Sequence, residues 1–572
     1  MKRKRRWLFR IAFLLLPLVA LAYFSRGPEI EAGSYLVLDV SGELAEGKPG
    51  SPIEKLLDRS RGFVEVLSTL RKVRHDGRID GVVLRVGSVD SGWGQAKELR
   101  DELALVQGSG KRVVALVEGE LARANKELYL ASVADRVFLP PGGSALLTGL
   151  AAQYLFFGGV WEKVDLTVQV EKMREYKTAG DTFTQKQMSA EHREMAEWLL
   201  DDIDDHFVRT LAASRNLTPE EVRSVIERCP TSPQGLVEAG IADGVKSYAE
   251  VVDDLGGGER PPLVDASAYA SVSDSSLGLS TGPTVAIVHA AGAIVSGGAS
   301  AAGGNVSARA MEKALRSAAR DDDIKAIVVR IDSPGGSAAA SDQIWRSVRD
   351  AAVKKPVVAS LANVAASGGY YIATGADHIV AHPTTITGSI GVVLVKPEVS
   401  GLLERIGVST ETLSRGRYAR LMDLTKPLDE DELRIVRARM ESIYGLFLER
   451  VGTSRDMSVR AVDRVAEGRV WTGAQAVERG LVDEFGGLRD AVRSAAAAAG
   501  IHDPDSVAVV HLPRADNFAA RLLEMGQVAT DAVASRPLGA DDVLASAWNE
   551  WTVLRALGPG VHALTPGLPT LD

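Results

Sequence analysis

The sequence predicts an α/β protein in which one domain has been built twice. Three features predict it. Apolar, β-branched runs alternate with segments of helical periodicity, the pattern of largely parallel strands covered by helices. Short matches recur in order at offsets of 240 to 245 positions. Glycine pairs also follow two β-branched runs of the later half, where an α/β layer builds its sites outside strand carboxyl ends.

At 572 residues the chain exceeds one hydrophobic core, so two or more domains are expected. It opens on five basic residues, Lys2 to Arg6, followed by the 18-residue span Trp7 to Phe24, apolar apart from Arg10. That span is just long enough to cross a bilayer, with Arg10 snorkelling to the interface. The basic tip keeps the N-terminus inside and sends the remainder out. Ala20-Leu21-Ala22 would suit a signal-peptide cleavage site. Tyr23 and Phe24 extend the apolar span toward an interfacial belt, which favours an uncleaved anchor. The fold class expected is therefore α/β, duplicated, and preceded by one N-terminal transmembrane helix within residues 1–30.

The repeat sets the rest. Ser34 to Val40 reads as a first strand, Leu56 to Val73 as a helix, and Ile79 to Val86 (IDGVVLRV) as a buried strand. Ile324 to Ile331 (IKAIVVRI) matches the last of these and pairs Arg85 with Arg330. Tyr129 to Asp135 parallels Tyr371 to Asp377; Ile203 and Phe207 match Ile443 and Phe447. Ser214-Arg215-Asn216 faces Ser454-Arg455-Asp456, and Gly240 to Asp243 faces Gly480 to Asp483. Chance could supply any one of these, but not all in order. The expected division is 31–264 for the first copy, a small, Ser-rich linker at 265–282, 283–500 for the second copy, and a tail at 501–572. That tail reads as a strand at Val507 to Leu512, an amphipathic helix near Phe518 to Met525 and a Gly/Pro-rich end, with no chemistry assigned.

Composition excludes several functions. A net charge of −9 without a basic stripe beyond the N-terminal tip argues against nucleic acid. The single cysteine, Cys229, excludes an intrachain disulfide and a Cys-cluster metal site. No Walker A sequence and no zinc-ligand cluster occurs, so neither metal nor cofactor is expected.

The chemistry points to Leu361 to Val393. A buried strand, Lys355 to Ser360, runs into small residues and then Ala366-Ser367-Gly368-Gly369, with a helix expected from Tyr370. Glycines let a substrate backbone approach closely, which makes Ser367 the candidate nucleophile. One strand earlier, Ile327 to Val329 leads into Asp332-Ser333-Pro334-Gly335-Gly336. The amides of Gly336 and Gly368 could together form an oxyanion hole. Either glycine pair alone would be read as a tight turn; two in order, about 30 residues apart, weigh more.

SPGGS followed by AASGGYY and TGSIG resembles the signal peptide peptidase A family, membrane-bound bacterial serine proteases, in its long two-repeat form. More distantly the chain is similar to the Clp protease and crotonase fold. The resemblance covers residues 35 to 500 and implies a tandem Clp/crotonase-like duplication. It further implies a homo-oligomer such as a tetramer, and signal-peptide remnants as substrates at the extracytoplasmic face of the bacterial inner membrane. The family carries its general-base lysine in a Tyr-Lys-Ser/Thr-Ala motif of the first repeat. Here that is Tyr176-Lys177-Thr178-Ala179, which makes Lys177 the expected base. The repeat fits: Ala419 faces Lys177, while Asn125 faces Ser367, so each copy lacks what the other holds. Ser389 matches a family serine expected to hydrogen-bond the lysine, although a turn-capping hydroxyl is a competing reading.

A Ser-His-Asp triad of Clp type stays open. Of nine histidines, His378 and His382 lie nearest Ser367 in sequence, but helix rise puts His378 roughly 15 Å away. A crotonase-type acyl-CoA enzyme and a non-catalytic membrane scaffold are the remaining alternatives. Export argues against the former, because CoA is cytoplasmic.

Overall fold

The computed structural model describes residues 29–46, 62–118, 120–121, 123–257, 259–296, 304–503, 506–513, 561–564 and 570–571. The expected anchor at Trp7–Phe24, the start of the helix expected from Leu56, and the amphipathic segment near Phe518 lie outside these residues. Among the described residues no helix is long and apolar enough to cross a membrane.

Two parallel sheets carry the chain. The first orders its six strands as Leu263–Asp265, Ser34–Gly42, Ile79–Val89, Arg112–Val117, Arg136–Leu139 and Gly244–Val245. The second repeats that order with Ala508–Leu512, Thr284–Ala291, Ile324–Ser333, Val357–Ala366, His378–Ala381 and Glu484–Phe485. Every ladder in both paths is parallel. The central strands are buried along almost their whole length, which is why they read as continuous apolar runs rather than as alternation. Two short strands, Ile386–Gly388 and Val470–Thr472, branch off the end of Val357–Ala366.

Helices repeat as faithfully. Ala190–Arg215 and Glu430–Arg455 are both 26 residues long, and both stop at a left-handed residue, Asn216 (φ 54°) and Asp456 (φ 49°). Asn and Asp tolerate that region better than other side chains, so the matched Ser-Arg-Asn and Ser-Arg-Asp sequences are matched helix stops. The Ser-rich stretch at 265–282 folds onto the first sheet. Tyr269 is buried and donates its hydroxyl to Asp76 at 2.9 Å.

Two features lock the copies together. Helix Trp93–Gly108 of the first copy lies against the second: Gln95 N–H donates to Asn363 Oδ1 at 2.8 Å, and Leu488 N–H to Glu98 Oε1 at 2.5 Å. Arg330, wholly buried, reaches across to Glu46 and, at 2.6 Å, to Glu98. Burial alone would raise the Glu98 carboxyl; the Arg330 charge, His382 and the Leu488 amide together outweigh it and hold Glu98 at about 2. The second lock is a third sheet, in which Thr167–Met173 of the first copy runs antiparallel to Val392–Glu398 of the second, from Val392 opposite Met173 to Glu398 opposite Thr167.

Candidate active site

Ser367 stands where strand Val357–Ala366 breaks into helix Gly368–Ala373. The helix starts two residues before the expected Tyr370, because Ser367 itself is its N-cap. Its backbone, φ 54° and ψ −115°, is one that side-chain-bearing residues avoid. Two hydrogen bonds hold it there: Ser367 N–H to the Gly388 carbonyl, and Tyr371 N–H to the Ser367 carbonyl, both 2.8 Å. A strained turn of this kind presents a hydroxyl at a strand end.

Gly368 packs directly on the preceding glycine loop. A Cβ added there would stand 3.2 Å from both the Gly335 Cα and the Gly336 nitrogen. The two glycine segments thus meet backbone to backbone beside Ser367, as the pairing of Gly336 and Gly368 in one anion-binding site requires.

Lys177 arrives from the other copy. Strand Thr167–Met173 is aligned by its ladder with Val392–Glu398, and the chain then turns through Arg174 (φ 75°) into a 3₁₀ turn at Thr178–Gly180. The Lys177 Nζ lies 2.7 Å from Ser367 Oγ, 2.8 Å from Ser389 Oγ and 2.8 Å from the Ser389 carbonyl oxygen. Lys177, Ser367 and Ser389 are all at 0% exposure. Burial pushes the Lys177 amine well below its ordinary 10.5, and no carboxylate is among the causes to oppose it. A neutral amine has two N–H donors and one lone pair. The Ser389 carbonyl can only accept. Donation to both Ser389 oxygens therefore leaves the lone pair for the Ser367 hydroxyl, the arrangement a general base needs.

Sequence reasoning missed the clamp on this lysine. Gly468 (φ 81°) lies so close that an added Cβ would sit 2.7 Å from the Lys177 Cα. Tyr176 N–H donates to the Glu467 carbonyl at 3.2 Å, and the Arg469 guanidinium stacks 3.5 Å over the Tyr176 ring. Its one sequence signal is a glycine between Glu467 and Arg469, which carries no hint of its partner. Asp332, ahead of the glycine loop, accepts from Val364 N–H at 2.9 Å; burial, followed by the Glu46 carboxylate, pushes it up to about 7.

The histidines weighed for a triad sit elsewhere. His378 faces Asp483 and Glu484, and His382 faces Glu98 and Asp101. In the first copy Asn125, opposite Ser367 in the repeat, accepts from the amides of Thr148 (3.1 Å) and Gly149 (3.2 Å). Its position has become structural.

The model of peptidase family S49 matches residues 106–258 and 349–502, one stretch in each copy. The chain belongs to peptidase family S49. Serine protease SPPA, chloroplastic, of Arabidopsis thaliana is 34% identical to this S49 chain over 549 residues, covering 94% of it and 78% of the relative. Protease 4 of Salmonella typhi is 30% identical over 526 residues, covering 86% and 83%. Protease 4 of Haemophilus influenzae is 29% identical over 526 residues, covering 85% and 83%. The S49 chain is accordingly a serine endopeptidase, built from two copies of its family's domain.

Proposed function

We propose that this peptidase works by a Ser367–Lys177 dyad and cleaves extended peptides, cleaved signal peptides foremost, from the extracytoplasmic side of a bacterial inner membrane. The observation that carries the dyad is the 2.7 Å approach of a buried, carboxylate-free lysine to the hydroxyl at the strained turn. Lys177 takes the proton from Ser367, whose Oγ attacks the peptide carbonyl. The amides of Gly336 and Gly368 hold the oxyanion, and Lys177 returns the proton to the leaving amine. Water, deprotonated by the same lysine, then hydrolyses the acyl-enzyme. Ser389 orients the amine through its hydroxyl and carbonyl.

For the substrate class, the support is a relative, the putative signal peptide peptidase SppA of Enterococcus faecium, 38% identical over 183 residues and covering 32% of this chain and 53% of its own. The basic tip and apolar span of residues 1–24 support an anchor. A homo-oligomer such as a tetramer follows from the family resemblance. The test is labelling by a fluorophosphonate probe and cleavage of a signal peptide in a bilayer mimic. Both are expected to vanish in Ser367→Ala, and cleavage in Lys177→Ala. Full cleavage by Lys177→Ala together with loss on substituting a histidine would replace the dyad by a triad.

A further inference from the structure

Val561–Leu564, in a tail with no chemistry assigned from its sequence, forms a strand inside the third sheet. On one side it runs antiparallel to Gly335–Ser337, with Gly335 opposite Leu564, Gly336 opposite Ala563 and Ser337 opposite His562. On the other it runs antiparallel to Val392–Glu398, with Val393 opposite His562 and Leu394 opposite Val561. The outer edges of those two walls are already taken, by Ile294 beside Gly336 and by Thr167–Met173 beside Val392–Glu398. What lies between the walls is a slot one strand wide. One wall carries the Gly336 amide and the other is the strand against which the Lys177 segment is aligned, so the slot borders both halves of the candidate site. Extended peptides bind such a slot through main-chain hydrogen bonds to both edges. Four residues of this chain already make those pairings. Past them, Thr570–Leu571 pairs antiparallel with Ala152–Gln153 of the first copy, a second attachment beyond the slot. With the strand in place, Ser367, Lys177 and Ser389 have no exposed surface.

We propose that Val561–Leu564 is an internal pseudosubstrate, which fills the peptide channel and must be displaced by an incoming peptide before hydrolysis. The proposal rests on the reading of Ser367 and Lys177 as the dyad. Main-chain pairing makes the contest competitive: the tail and a substrate seek the same edges. A tethered segment acts at an effective concentration on the order of 1 mM, so a tail of ~0.1 mM intrinsic affinity raises the apparent KM about tenfold and leaves kcat alone.

Three proteins test it: the full chain, the chain ended after Gly560, and the full chain with Ala563→Pro, which removes a main-chain N–H from the strand. Hydrolysis of an internally quenched peptide is expected to show KM about tenfold lower in both altered proteins, with kcat within twofold. A fluorescein-labelled peptide of residues 557–566 is expected to bind the shortened chain carrying Ser367→Ala and to bind the full chain carrying Ser367→Ala at least tenfold more weakly. Equal KM in the full chain and the Ala563→Pro chain, or equal peptide binding with and without the tail, overturns the proposal. Failure of the dyad reads differently: Ser367→Ala then keeps its turnover, while the peptide-binding comparison still reports on the slot.

Discussion

Replacing Lys177 by Met should abolish hydrolysis and leave a protein whose relative stability depends on pH in a fixed direction. The wild-type amine titrates near 10.5 when unfolded and well below that when folded, because burial penalises its charge. Between those two values the unfolded chain holds one more proton than the folded one. Wild-type stability from this group is therefore complete above 10.5 and is lost as pH falls, at about 1.4 kcal/mol per pH unit. Methionine does not titrate. Below 10.5 the gap between Lys177→Met and wild type should move in the variant's favour as pH falls, at about 1.4 kcal/mol per pH unit for as long as the folded amine stays neutral. The absolute gap also contains the loss of three hydrogen bonds and a Ser389 carbonyl left without that partner, about 1–3 kcal/mol in the other direction. That contribution does not change with pH over this range, so the slope isolates the proton. The assay is urea denaturation of both proteins at several pH values, alongside the pH profile of kcat/KM, which should rise with pH as the base becomes neutral. A gap that stays constant from pH 7.5 to 9.5 means Lys177 keeps its ordinary affinity for protons in the fold, and the general-base reasoning is refuted.

Gly468→Ala puts a Cβ 2.7 Å from the Lys177 Cα at a φ of 81°; kcat/KM should fall tenfold or more while Tm drops only a few degrees, since a 1 Å misplacement of a reacting group costs up to ~100-fold. An equal rate would mean the lysine is held by Ser389 alone. Arg330→Met leaves Glu98 buried without the cation that holds it near 2, so stability should fall by about 3–5 kcal/mol at pH 7, and by less at pH 5 as that carboxyl protonates. A loss independent of pH would count against the ion cluster as its cause. Asp332 keeps its proton up to about 7 in the fold and to 3.8 when unfolded, so its contribution to stability falls as pH rises from 4 to 7, by at most about 1.4 kcal/mol per unit. Asp332→Asn should remove that slope from denaturation curves; an unchanged slope would assign it to another group.

Legibility followed the range of the interactions. Ser367 was readable because strand, small residues and glycine pair are consecutive. The duplication was readable because buried parallel strands repeat the same apolar runs. Lys177 was not readable from its own residues: a lysine becomes a base by losing water, and water is excluded by Ser389 and Gly468, hundreds of positions away. Only the family motif pointed to it. The cluster of Arg330 with Glu46 and Glu98 was invisible for the same reason, its partners lying 284 and 232 positions apart. Val561–Leu564 was missed because four residues between Gly-Pro-Gly and Thr-Pro-Gly carry no periodicity. Their pairing is with backbone, which leaves no trace in side-chain pattern.

Division of the site between copies makes the geometry of docking part of the chemistry. The seven pairs from Val392–Met173 to Glu398–Thr167 set where Lys177 begins. A slip of one residue in that ladder would turn every side chain of Thr167–Met173 to the opposite face and carry the lysine with it. Val168 and Val170 pack with buried Val393, Val395 and Phe183 across this ladder, so a slip would expose them. Arg330 adds a second constraint on how the copies dock, because moved away from Glu98 it would lose a buried partner. Arg85, its counterpart in the first copy, makes the contrast: a third exposed, it pairs with Asp39 and Glu118 of its own copy and fixes no interface. The same arginine in the same strand serves the sheet locally in one copy and ties the two copies together in the other.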